Sequence, residues 1–218
     1  MKALITGANR GIGRAMFDHM QARGDDVIGT ARKPGNGEAG FASLDVTDPA
    51  SIAALKASLG DQPLDLLICN SGVYLDKGDA LETGYAEQVW ADSFAVNVTG
   101  VFLTIKALLP NLRKSSAGKI AIISSHMASS ERAPGGAYIY RASKAAVLNL
   151  GRNLAVDLTP ENIAVGIYHP GWVQTDMGGA AADITVDQSA AGLLERFDVL
   201  SMPTTGVFET YDGVALPF

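Results

Sequence analysis

Cysteine occurs once, at Cys69, histidine three times, and charged residues make up only 18% of 218 positions. A lone cysteine closes no intrachain disulfide, and His19, His126 and His169, with no cysteine or acidic cluster around them, supply no zinc site. Positive charge is also short. Lysine and arginine total 17 against 23 acidic residues, a formal charge of -6, so nothing draws the whole chain to nucleic acid or anionic lipid and any anion site must be local. No apolar run approaches the length that crosses a bilayer. The first residues pass directly into Ala3-Leu4-Ile5-Thr6, without the charged and apolar regions of a signal peptide. We therefore expect a soluble, metal-free chain in a reducing cytoplasm, with neither nucleic acid nor membrane as partner.

Apolar residues, by contrast, are plentiful at 47%, enough for one continuous core over residues 1–218. Short apolar runs at 2–6, 26–31, 41–44, 65–69, 119–123, 162–168 and 206–209 read as strands. Periodic stretches at 14–23, 50–59, 85–112, 140–159 and 187–200 read as helices, the second announced by Asp48 as a cap and Pro49 in the first turn. Residues 74–83 are richer in charge and read as an exposed loop. Strands alternating with helices at this density imply an α/β fold: a single-domain Rossmann-type, doubly wound sheet of about seven mainly parallel strands, helices on both faces. A short substrate lid is expected at about 177–200.

The first strand ends in Gly7-Ala8-Asn9-Arg10-Gly11-Ile12-Gly13. Glycines at 7, 11 and 13 permit a tight turn and close backbone approach, and the helix that follows offers free N–H groups and a positive dipole end to phosphate. Beyond the carboxyl end of a strand in an open parallel sheet, a dinucleotide pyrophosphate fits there. The second strand ends in Ala31-Arg32-Lys33, with no carboxylate to hold an unmodified adenosine ribose. Arg32 and Arg10 can instead converge on a ribose 2′-phosphate, which favours NADP(H) over NAD(H). Asp45 can accept from the adenine amino group, and Asn70-Ser71-Gly72 brings small polar residues to the edge of the fourth strand, where they can line a cofactor channel. Asn97, between Val96 and Val98, is either a satisfied core amide or a kink where water enters the helix ladder.

Tyr140 and Lys144 share a helical face, offset by roughly 40° around the axis and about 6 Å along it. An ammonium about 4 Å from a phenol, at an effective dielectric near 20, is worth on the order of 4 kcal/mol, or roughly three pKa units before desolvation is subtracted. Such a pair can handle a proton, whereas Tyr138 has no lysine at this spacing. Along the same helix Ile139, Ala142, Ala146, Leu150, Leu154 and Leu158 form an apolar row, with Val147 and Gly151 beside it, wide enough to be covered on two sides. After the sixth strand, His169-Pro170-Gly171-Trp172-Val173-Gln174-Thr175-Asp176-Met177 brings a sharp turn, a hydroxyl and apolar surface to the same edge, with His169 structural.

Thr6 to Gly13, Asn70-Ser71-Gly72, Asn97, Ser124-Ser125, Tyr140-Arg141-Ala142-Ser143-Lys144 and Pro170-Gly171 together resemble the short-chain dehydrogenase/reductase family, over essentially the whole chain. The phrases around Tyr140 and from Gly171 to Met177 look like its C-factor-like and sniffer-like carbonyl reductases. The resemblance implies hydride transfer between NADP(H) and a carbonyl or secondary alcohol. Tyr140 would be the general acid or base, Lys144 would hold the nicotinamide ribose, Ser125 would orient the carbonyl, and Asn97 would support a water joining Lys144 to solvent. It also implies cofactor contacts from Gly7, Asn9, Arg10, Gly11, Ile12, Gly13, Arg32, Asp45, Val46, Asn70, Ser71, Gly72, Tyr140, Lys144, Pro170, Gly171, Val173 and Thr175. The long helices carrying Asn97 and Tyr140 would allow a homodimer or homotetramer. Two features depart from the family pattern: Ser71 replaces the usual alanine of Asn-Ala-Gly, and fourteen residues separate Ser125 from Tyr140, somewhat more than in many members. The alternative is a catalytically silent nucleotide-binding signalling or regulatory protein of the same fold.

Overall fold

The computed structural model describes residues 1–35 and 38–218. Seven strands, β1 (Lys2–Ile5), β2 (Asp26–Ala31), β3 (Phe41–Ser43), β4 (Leu66–Cys69), β5 (Lys119–Ile123), β6 (Ala164–His169) and β7 (Phe208–Thr210), form one sheet in the order β3-β2-β1-β4-β5-β6-β7. Every neighbouring pair is parallel. Parallel neighbours need crossovers, and helices α1 (Gly11–Ala22), α2 (Pro49–Leu59), α3 (Glu87–Phe94), α4 (Val101–Leu112), α5 (Tyr138–Asp157) and α6 (Val186–Val199) lie between successive strands, except between β2 and β3, where the described residues hold no helix. Strand order reverses between β1 and β4, which opens a crevice beyond their carboxyl ends.

The period of two along each strand decides which layer its side chains join. Leu4, Leu67, Cys69, Ile120 and Ile122 pack with α2, α4 and α5, whereas Ala3, Ile5, Leu66, Ile68, Ala121 and Ile123 pack with α1 and α6. Both faces are covered, which is why the strands are nearly continuous apolar runs. Each fully buried Leu or Ile contributes about 1.5–3 kcal/mol.

Several elements differ from their sequence-based bounds for physical reasons. Helix α1 begins at Gly11 rather than Arg14, because Gly13 has no Cβ and lets the first turn lie directly on the glycine loop. The helix expected at 85–112 runs from Glu87 to Leu112 but contains a π-turn at Ala95–Gly100. By length and composition this helix is apolar enough to cross a membrane, contrary to the expectation that no run is; its Val101, Ile105, Leu108 and Leu112 are buried in the protein's own core. Helix α5 buries Tyr140, Ser143, Lys144, Val147, Leu148, Gly151 and Ala155, while Ala142, Ala146, Leu150 and Leu154 of the expected row are only half-buried. The contact line runs through Gly151, where a Cβ would stand 2.6 Å from Ile167 and 3.1 Å from Ile122. Of the lid expected at 177–200, residues Val186–Val199 are α6, with Ala190, Leu193, Leu194 and Phe197 in the core, so only the stretch before it crosses the sheet edge.

Because Gly151 sets how closely α5 approaches β5 and β6, Gly151→Val should lower the unfolding free energy by about 1–3 kcal/mol. Chemical denaturation of the two proteins measures it, and an unchanged midpoint would mean that α5 does not rest on the sheet at this residue.

Candidate active site

Strand β1 enters the glycine loop through Gly7 at φ +68°, and Gly11 follows at φ +55°. At Gly13 the constraint is space: a Cβ would stand 2.3 Å from the Gly7 carbonyl oxygen and 2.5 Å from Asn70 Nδ2. Asn70 Nδ2 donates to the carbonyls of Thr6 and Gly7, each at 3.0 Å, and Thr6 Oγ1 accepts from the N–H groups of Asn70 and Ser71, also at 3.0 Å. The amide protons of Asn70 thus brace the loop. Arg10 occupies the N-cap of α1 with no side-chain cap, and no acid lies in the first turn. The free N–H groups there fit the pyrophosphate of a dinucleotide.

The basic corner is less assembled than expected. Arg10 Nη1 pairs with Asp176 Oδ2 at 2.6 Å, with side chains 73% and 84% exposed, while Arg32 stands exposed beyond β2. An ion pair this open to solvent is worth no more than about 1 kcal/mol, so a phosphate can displace it. Asp45 Oδ1 accepts from Thr47 Oγ1 at 2.7 Å and from Thr47 N–H at 2.9 Å. Those bonds, with a smaller contribution from the Arg32 charge, hold the Asp45 carboxyl below the usual carboxylate range. The neighbouring Val46 carbonyl lies against Gly100, where a Cβ would come within 2.8 Å. Asn9 is exposed and Ile12 half-buried in the loop. On the far side, Pro170 accepts from Ser189 Oγ at 2.6 Å, Gly171 has φ +88°, and Val173 pairs with Ile184. Thr175 comes to the glycine loop, its Cγ2 3.5 Å from a Cβ built at Gly11.

Tyr140 and Lys144 are 8% and 5% exposed. Lys144 Nζ lies 5.7 Å from the centre of the Tyr140 ring and donates to the Ile123 carbonyl at 3.0 Å. In return, Ser124 Oγ donates to the Lys144 carbonyl at 3.0 Å, which locks α5 to the end of β5. The next residue, Ser125, accepts from Met127 N–H at 3.1 Å to cap the 3₁₀ turn His126–Ala128, and its hydroxyl lies on the Tyr140 phenol's side, where it favours the phenolate. Asn97 lies inside the π-turn, with Oδ1 accepting from Val73 N–H at 2.8 Å and Nδ2 donating to the Val73 carbonyl at 2.9 Å and Ser143 Oγ at 3.0 Å. It is therefore a satisfied amide in a distorted helix, and the chain itself supplies its partners. Gly72 sits between them, its Cβ position 3.4 Å from both Asn97 Oδ1 and Lys144 Nζ.

Two residues of the supposedly exposed 74–83 loop belong to this cluster. The Tyr74 ring stacks on that of Tyr140, centroids 4.2 Å apart and planes inclined by 18°. Asp76, 1% exposed, accepts from the backbone N–H groups of Ile139 and Tyr140. Neither belongs to a periodic pattern. The one signal available was the lack of a Ser, Thr, Asp or Asn immediately before Tyr138, which leaves α5 to find its cap elsewhere. Beside Ser125, His126 Nδ1 meets His169 Nε2 at 2.8 Å. Burial, reinforced by the nearby His126, pushes His169 down to about 3, which keeps its imidazole neutral.

Electrostatically, desolvation outweighs the attraction expected within the pair. Burial pushes the Tyr140 phenol up to about 12; the Ser125 hydroxyl opposes this, and Tyr74 and Asp76 add to it. Burial also pulls Lys144 down to about 8. In the chain alone, Tyr140 is a protonated phenol at neutral pH rather than a stabilised phenolate.

A family model described as short chain dehydrogenase matches residues 1–184. The C-signal protein of Myxococcus xanthus is 38% identical over 160 residues, spanning 72% of this chain and 93% of that protein. Among solved structures, the NADPH-bound carbonyl reductase from chicken fatty liver superposes with a TM-score of 0.90 at 31% identity, covering 100% of this chain and 98% of the other. The carbonyl reductase Sniffer of D. melanogaster superposes with a TM-score of 0.92 at 27% identity, covering 100% and 99%.

Linkage makes the burial of Lys144 measurable. Its ammonium titrates near 8 when folded against 10.5 when free. Between those values the unfolded chain binds more protons, so this residue makes stability rise with pH from about 8 to 10.5. Tyr140 has the opposite sign, being raised from 10.0 to about 12, and its contribution is lost only over that higher window. Lys144→Met should therefore flatten the rise of unfolding free energy between pH values of about 8 and 10. Parallel curves for the two proteins would show that Lys144 is not desolvated.

Proposed function

This chain belongs to the short-chain dehydrogenase/reductase family of oxidoreductases, and we propose from that premise that it is an NADP(H)-dependent carbonyl reductase with Tyr140 as proton donor. The observation that carries this reading is the buried Tyr140 phenol, with the buried Lys144 ammonium 5.7 Å from its ring and the buried Ser125 at the end of the adjoining strand. When bound, the reduced nicotinamide supplies hydride to the carbonyl carbon. The chain supplies the rest. Ser125 orients and polarises the carbonyl oxygen, and Tyr140 gives its proton to that oxygen as negative charge develops on it. The tyrosinate left behind is stabilised by the Lys144 ammonium, whose charge is present below a pH of about 8. Alcohol oxidation runs the same transfers backwards.

Asn97 serves indirectly, by holding the Val73 backbone and Ser143 beside Lys144. A preference for NADP(H) over NAD(H) is supported by Arg10 and Arg32 at the ribose corner and by the absence of a carboxylate at the end of β2. A protein that only senses cofactor occupancy has no use for a proton donor placed in this way.

Tyr140→Phe should keep cofactor binding and lower NADPH oxidation with aldehydes and ketones by roughly 10²–10⁴-fold. Cofactor binding without turnover in the parent protein would instead favour the silent, regulatory reading. Arg10→Ala combined with Arg32→Ala should weaken NADPH much more than NADH in a binding titration. Equal weakening of the two would mean that these arginines do not read the 2′-phosphate.

A further inference from the structure

Residues 74–77 lie between β4 and α3, outside any helix or strand, yet they reach the proposed proton donor by two independent contacts. Through Tyr74 they cover the face of the Tyr140 ring at 4.2 Å. Through Asp76 they hold its backbone, the carboxylate accepting from Ile139 N–H at 2.9 Å and from Tyr140 N–H at 3.2 and 3.3 Å. The adjoining Lys77 Nζ donates to the Met177 carbonyl at 3.0 Å, which ties the same segment to the loop before α6.

Helix α5 needs such a partner. Ala137 at its N-cap has φ +48° and no side-chain acceptor, so the N–H groups of the second and third helical residues, Ile139 and Tyr140, would be left unbonded in a buried place. Asp76 makes in space the bonds that a capping residue makes in sequence, and its charge lies at the favourable end of the helix dipole. Among the described residues no cation pairs with it. Backbone N–H groups are what hold this carboxylate, and those groups belong to the turn that carries Tyr140.

We propose that Asp76 is a positioning residue for carbonyl reduction: it fixes the first turn of α5 while Tyr74 braces the ring, so that the Tyr140 phenol is held toward the substrate oxygen beside Ser125. This rests on the function proposed above. Reacting groups displaced by about 1 Å can lose on the order of 10²-fold in rate, so a clamp on both backbone and ring bears directly on turnover.

The test compares Asp76→Ala and Asp76→Asn with the parent, and each of the three is also prepared in a separate form with Tyr140→Phe as a spectroscopic blank. Asp76→Ala should lower kcat for NADPH-dependent aldehyde reduction at least about tenfold while KM and NADPH affinity change little. Asp76→Asn, which keeps a carbonyl acceptor, should recover part of that loss. In an alkaline ultraviolet titration without substrate, the tyrosinate signal of Tyr140 should move to lower pH in both variants, because a negative charge on the turn that carries the phenol is gone. A lowered melting temperature with parental kcat per folded molecule and a parental titration would overturn the proposal and leave Asp76 as a structural cap alone. If the parent reduces no carbonyl, the proposed function fails, while the titration still decides whether Asp76 governs Tyr140.

Discussion

The interlock between the end of β5 and the second turn of α5 holds the site together. Lys144 Nζ donates to the Ile123 carbonyl, and Ser124 Oγ donates back to the Lys144 carbonyl. Strand and helix are thereby fixed to each other at two points, one residue before Ser125 and one helical turn after Tyr140. A serine at a strand end and a phenol on a helix can then meet without either being long enough to search for the other. Gly151, about two turns further on, allows the close helix–sheet approach on which the interlock depends.

The same packing determines the electrostatics. An ammonium near a phenol in partly wet surroundings would pull the phenol toward ionisation, by several kcal/mol on a simple Coulomb estimate. Here both groups are desolvated, and burial moves each toward its neutral form, Tyr140 upward and Lys144 downward. Asp76, one face of whose surroundings is the N-terminus of α5, adds negative charge near the phenol and reinforces its protonation. The balance between desolvation and attraction leaves Tyr140 a protonated phenol at neutral pH, the form on which the proposed proton transfer draws.

Much of the fold was legible because its causes are local and periodic. Buried strands such as Leu66–Cys69 are short apolar runs, and the Asp48-Pro49 pair marks the start of α2 by the same rules that cap any helix. The glycine loop was legible because a tight turn before a helix needs residues without side chains. Harder to see was the brace given by Asn70, whose small polar character suits a cofactor channel equally well and whose direction depends on where Thr6 and Gly7 lie across the sheet. Tyr74 and Asp76 were hidden for a related reason: in a segment with no repeat, charge reads as exposure, and only the packing of α5 turns that charge inward.

What the amino-acid sequence determined by itself was the alternation of strands and helices, the glycine loop, and the one tyrosine with a lysine a helical turn away. These are consequences of spacing along a single segment, which backbone geometry converts directly into direction. Tertiary structure alone decided that Arg10 rests on Asp176, that the satisfied Asn97 amide sits in a π-turn, and that Asp76 caps a helix from sixty-three residues away. Tertiary structure also decided the protonation of the Tyr140 pair. Those outcomes depend on which groups exclude water from one another, and exclusion is a property of several segments brought together, written in no one of them.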